Sequence, residues 1–71
     1  MNIESVQLGQ EFMVKSIKDR ENPAVRKLFA MGLKEGKKGT LLLKNGRVYL
    51  LRFNNSRLII DRDLARFIEV A

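Results

Sequence analysis

The side chains that could attack a substrate or move a proton are few: the hydroxyls of Ser5, Ser16, Thr40, Ser56 and Tyr49, and eight Asp and Glu carboxylates. A hydroxyl is a weak nucleophile until a neighbouring base takes its proton, and the chain has no histidine to do so. Cysteine is absent too, which removes the thiolate nucleophile, the disulfide and the soft metal ligand together. Asp61 and Asp63 stand at the start of a predicted helical turn, where carboxylates serve as cap and first-turn charges. Asp19, Glu35, Asp61 and Asp63 each have Lys or Arg beside them, and scattered carboxylates of this kind hold a transition metal weakly. Gly36-Lys37-Lys38-Gly39 is too short for a phosphate-binding loop and lacks the helix that would cradle the phosphate. The expectation is a protein that is not an enzyme, with no catalytic residues, no metal site and no cofactor.

With catalysis set aside, charge and length bound what remains. Seventy-one residues make one domain, 1–71, with a small core. Residues 26–57 hold nine Lys and Arg against Glu35 alone, so +8 is concentrated there within a net charge of +6. Such a middle suits an anionic partner (nucleic acid, acidic protein, lipid headgroups) or simply a solvated surface, and composition leaves these even. No apolar run exceeds the four residues of Val48 to Leu51, far short of the roughly 20 residues of a membrane helix. Met1-Asn2-Ile3-Glu4 lacks the basic-then-apolar pattern of a signal peptide. A soluble, cytoplasmic chain without membrane insertion is expected.

The elements that position these side chains are marked by capping and turn residues. Asn22 can cap a helix with Pro23 at its first position, and Val25, Leu28 and Phe29 form its apolar stripe. Gly32 suits the left-handed residue that ends a helix, which would return Leu33 to Leu28, and Gly36 closes a second turn. Glu11–Lys18 reads as a strand, and residues 1–10 as a loose approach to it. Asn45-Gly46 between apolar runs predicts a type I′ hairpin pairing Lys44 with Arg47, Leu43 with Val48, Leu42 with Tyr49, and Leu41 with Leu50. One face would then carry Leu41, Leu43, Val48 and Leu50, the other Leu42, Tyr49, Leu51 and Phe53. One of these is core, and the second is either covered or left for a partner; Leu42 and Tyr49 divide evenly between the two. Asn54-Asn55-Ser56 is a turn, Arg57–Ile60 a strand, Asp61 the cap of one helical turn, and Phe67–Val70 a last strand. The fold class expected is mainly β: a small SH3-like five-stranded barrel with one short α-helix between the first and second strands and a one-turn helix before the last.

Leu8-Gly9-Gln10, the run Val25 to Gly36, Gly39-Thr40, Ser56 to Ile60 and Phe67 to Val70 together resemble the FeoA family. That family's helix reads Arg-x-Leu-x-x-(Leu/Met)-Gly-(Leu/Met)-x-x-Gly, and Arg26, Leu28, Met31, Gly32, Leu33 and Gly36 occupy those positions here. The tight Asn45-Gly46 turn stands where many members have a longer connection. The resemblance implies a cytoplasmic accessory protein of ferrous iron uptake that docks on the FeoB membrane transporter and its cytosolic GTPase region. Partner contacts are expected at Arg26, Met31, Leu42, Tyr49 and Leu51, with self-association open and no specific ferrous iron site. A weaker resemblance, carried by Gly36-Lys37-Lys38-Gly39-Thr40 and the basic hairpin, is to KOW-type barrels that bind RNA or DNA. One tyrosine offers little stacking surface for that role, so nucleic acid is the less favoured partner.

Overall fold

Asn22 and Gly32 bracket the first helix of the computed structural model, which covers Met1–Ala71. This helix, α1 (Pro23–Ala30), begins where the Asn22 side chain accepts a hydrogen bond from the Ala24 amide at 2.9 Å. It ends in a Schellman turn. The Gly32 amide donates to the Phe29 carbonyl and the Leu33 amide to the Leu28 carbonyl, both at 3.0 Å. Gly32 has φ +101° and Gly36 φ +85°, so both glycines stand where a Cβ is disfavoured. The turn buries Leu33 against the sheet beside Leu28 and Val25. Gly32→Ala is expected to cost about 1 kcal/mol or slightly more, because its Cβ meets strain in the backbone and not a neighbour. Thermal denaturation should register this as a fall of roughly 4–8 °C.

Five strands form a single antiparallel sheet around α1: β1 (Glu11–Ile17), β2 (Lys38–Lys44), β3 (Val48–Phe53), β4 (Ser56–Asp61) and β5 (Ile68–Val70). Their order is β4-β3-β2-β1-β5. The mainly β class and the placement of both helices agree with the sequence reading, and the one-turn helix α2 (Arg62–Ala65) is capped by Asp61 as expected. The sheet curls without closing, so β4 and β5 remain its edges. Seventeen residues form one core between the curled sheet and the helices, all aliphatic or aromatic, and no charged side chain is buried in it.

Two expectations are corrected. Residues 1–10 are not a loose approach: Ile3 and Val6 are fully buried, and a 3-10 turn, Ile3–Ser5, is capped by the Asn2 side chain. The hairpin also differs from a type I′ turn. Asn45 pairs with Val48 (N···O 3.2 Å), and its side chain accepts from the amides of Arg47 and Val48, so the loop residues are Gly46 and Arg47. Neither has the positive φ that type I′ demands. The Asn45 side chain ties the turn forward by two residues, which moves the register. Lys44 now pairs with Tyr49 and Leu43 with Leu50; after an irregularity at Leu42, Leu41 pairs with Leu51 and Thr40 with Arg52. Lys44 and Arg47 therefore do not repel each other across the tip.

Candidate docking surface

Strand alternation sorts the hairpin side chains into two sets. Tyr49, Leu51 and Phe53 point inward from β3, as Leu58 and Ile60 do from β4. The bulge at Leu42 lets Leu41 join them from β2 while Leu43 turns outward. Leu43, Leu50 and Ile59 are consecutive cross-strand partners on the outer face, one each from β2, β3 and β4. Ile59 is 65% exposed, Leu43 45%, and Leu50 half-buried between them. An apolar row thus crosses three strands in solvent. Neighbouring rows frame it: Thr40, Arg52 and Arg57 on one side, Val48 and Asp61 on the other.

The basic middle of the chain divides in two. Lys37 donates to the Gly32 carbonyl at 3.0 Å and so caps α1, with its ammonium 5.7 Å from the Phe53 ring centre. Lys44 reaches the carbonyls of Glu4 and Val6 and lies 5.6 Å from the Tyr49 ring centre, tying the N-terminal turn to the hairpin. These two cations serve the fold. Arg52 and Arg57, by contrast, are exposed beside the apolar row and form no ion pair within the chain. A shallow polar groove of about 700 Å³ at the hairpin end alternates Arg47, Arg62 and Arg66 with Glu4, Asp61 and Asp63. Mixed signs there favour neither an anion nor a metal ion, and no trio of acidic side chains converges on a point.

Of the expected contact residues, the structure leaves three within a partner's reach and withdraws two. Arg26 is exposed on α1, Met31 is the C-cap of α1 and 55% exposed, and Leu42 is half-buried at the bulge. Tyr49 is 3% exposed and Leu51 is fully buried, so neither presents a docking face; both are core, because their side of β3 is the one packed with Val25 and Leu28 of α1 and with Ile3 and Val6 of the N-terminal segment. The outward residues Leu43, Leu50 and Ile59 lie outside the expected contact set. Leu58-Ile59-Ile60 held the signal, since alternation must turn the middle of three apolar strand residues out when its neighbours go in.

Burial pushes the Tyr49 phenol above the ordinary tyrosine range; Glu4 adds to the shift and Arg62 opposes it. A raised pKa means that the folded state favours the neutral phenol. Its contribution to stability is complete below the ordinary tyrosine pKa and is lost as pH rises through the higher, folded value. With one tyrosine and no tryptophan, ultraviolet absorbance reports this group alone. The expected alkaline titration is displaced upward from that of free tyrosine. Ionisation at the free value with the fold intact would place the phenol in solvent.

A FeoA domain model matches residues 1–71. Comparison with curated protein sequences finds no match. Among solved structures, an iron uptake regulatory protein (FeoA) superimposes with a TM-score of 0.85 at 24% identity, over 99% of this chain and 93% of that one. The FeoA protein from Chlorobium tepidum gives 0.84 at 27% identity, over 99% of this chain and 68% of its own. A manganese-dependent transcriptional repressor shares the fold at 0.85 and 13% identity; the match spans 96% of this chain but 39% of the repressor.

Proposed function

The chain belongs to the FeoA family, and we propose that it acts in the cytoplasm as a docking subunit of ferrous iron uptake, binding the cytosolic GTPase region of a FeoB-type transporter without catalysis. Family membership supports the role in ferrous iron transport. The observation that carries docking is the solvent-exposed row Leu43–Leu50–Ile59 on a domain whose core is already complete without it. Apolar side chains left in water across three strands lose free energy that a partner can recover. Arg52 and Arg57 beside the row fit a partner with carboxylates flanking its own apolar strip. Arg26, Met31 and Leu42 extend the set that a partner can touch, and Tyr49 and Leu51 support it from behind as core.

The test is binding of the purified transporter cytosolic region across a salt series, with a nucleic-acid gel shift run in parallel. Apolar docking predicts affinity that weakens only modestly with salt. Replacing Leu43 and Ile59 together with serine removes two anchors each worth over about 1 kcal/mol, so binding should fall about thirtyfold or more. RNA or DNA binding that collapses log-linearly with salt, with no retention of the transporter region, would overturn the reading in favour of phosphate contacts.

A further inference from the structure

The two edges of the sheet are treated differently. Edge β5 is three residues long, and the N-terminal segment lies along it: Asn2 bridges to Glu69, the Val70 amide donates to the Met1 carbonyl, and Glu69 pairs with Lys18 and the N-terminal ammonium. Edge β4 has no such cover. It runs six residues without proline, and it pairs with β3 from Val48–Asp61 to Phe53–Ser56 without a bulge, whereas β1–β5 and β2–β3 both contain a register shift. A straight, unprotected edge is a template for another strand.

The backbone pattern says which groups are free. Across the tight turn at Asn54-Asn55, Phe53–Ser56 closes the hairpin, and antiparallel pairs alternate from there between hydrogen-bonded and non-hydrogen-bonded. Ser56, Leu58 and Ile60 therefore face β3, while the amides and carbonyls of Arg57 and Ile59, and the amide of Asp61, face outward. None of these outward groups is used by the hydrogen bonds that lie outside helices and strands.

We infer that β4 pairs with β4 of a second copy of this chain, antiparallel, about a two-fold axis at Ile59. The argument is the sequence Arg57-Leu58-Ile59-Ile60-Asp61 read against itself. In that register Ile59 meets Ile59 of the partner subunit, and both are hydrogen-bonding residues of the free edge. Arg57 meets Asp61 of the partner subunit on the outer face, twice by symmetry. Asp61 caps α2 through one carboxylate oxygen, which leaves the other for the guanidinium. Leu58 and Ile60, both inward, alternate across the junction and join the two cores. The apolar outer row of one copy then continues into that of the next at Ile59. Any shift by two residues would break both charge pairs and set Arg57 or Asp61 against an isoleucine. The arrangement is isologous and closes as a dimer. It does not rest on the docking proposal, although it shares Arg57 and Ile59 with it, and it would present that apolar row doubled.

The experiment is sedimentation velocity on the full chain over a wide concentration range, with circular dichroism to confirm folding. Wild type should dimerise reversibly. Arg57→Asp alone and Asp61→Arg alone each place like charges at both ends of the junction, and each should dissociate at least tenfold more readily. Mixed in equal amounts, these two variants regain opposite charges at both ends and should form a mixed dimer. Ile59→Lys, at an exposed position that the fold does not need, should abolish association if Asp61→Arg proves unfolded. Three results would overturn the inference: a wild type that stays monomeric, an Arg57→Asp variant that dimerises as wild type does, or folded charge variants that do not associate when mixed. A monomeric wild type that still binds the transporter region, with loss in Ile59→Lys, would reject self-pairing and leave docking standing.

Discussion

Replacing Gly39 with alanine is expected to cost about 3 kcal/mol, and valine more, a large share of the stability of a domain of this size. Gly39 is buried on β2 opposite Phe12, with the Phe53 ring lying across it. A Cβ there would stand 2.6 and 2.8 Å from two Phe53 ring carbons and 2.9 Å from the Arg52 carbonyl oxygen. The ring cannot simply turn away. It packs edge-on to Phe12 at 5.8 Å between centroids and receives the Lys37 ammonium on its other contacts. The carbonyl belongs to the β3 backbone, held in register with both β2 and β4. Either Phe53 leaves the core or the β2–β3 pairing opens. At roughly 4–8 °C per kcal/mol for a small domain, the melting temperature of Gly39→Ala should fall by more than about 12 °C. A melting temperature within a few degrees of wild type would show that the ring relocates freely.

The second large effect is Leu51→Ala, expected to lose about 2–5 kcal/mol, against a change within about 0.5 kcal/mol for Ile59→Ala. Both residues are apolar and both lie in central stretches of neighbouring strands, so hydrophobicity alone does not separate them. Leu51 is fully enclosed, paired with Leu41 on one side and Leu58 on the other, all three pointing inward. Truncation removes buried methyl groups and leaves a cavity that the rigid sheet cannot close. Ile59 loses contacts with water. Chemical denaturation of the two variants side by side checks the contrast, and equal destabilisation would mean that the outer row is covered within the monomer.

Local features of the chain were legible because their causes are local. Asn22, Pro23, Gly32 and Leu33 specify where α1 starts and how its tail folds under, since capping and left-handed conformations are decided by the residue that occupies them. Asp61 marks α2 for the same reason. The absence of histidine and cysteine, the basic middle and the order of strands and helices are likewise properties of the string itself. So is the family resemblance, which rests on that glycine-punctuated helix and which the match over residues 1–71 bears out.

The faces of the hairpin were decided elsewhere. Asn45-Gly46 allows more than one turn, and the choice depends on the Asn45 side chain hydrogen-bonding forward and on Lys44 being anchored by the carbonyls of Glu4 and Val6, some forty residues away. Because side chains alternate along a strand, the extra residue at Leu42 turns Leu41 to the face opposite Leu43. Tyr49 and Leu51 share the inner face with Leu41, while Leu43 and Leu50 lie on the outer one. Whether an apolar residue is core or contact depends on which side of the sheet the helices and the N-terminal turn cover, and that covering is made by residues distant in the chain. Ile3 and Val6 bury themselves for the same reason: the curled sheet leaves a gap at that end, and only the assembled fold creates it.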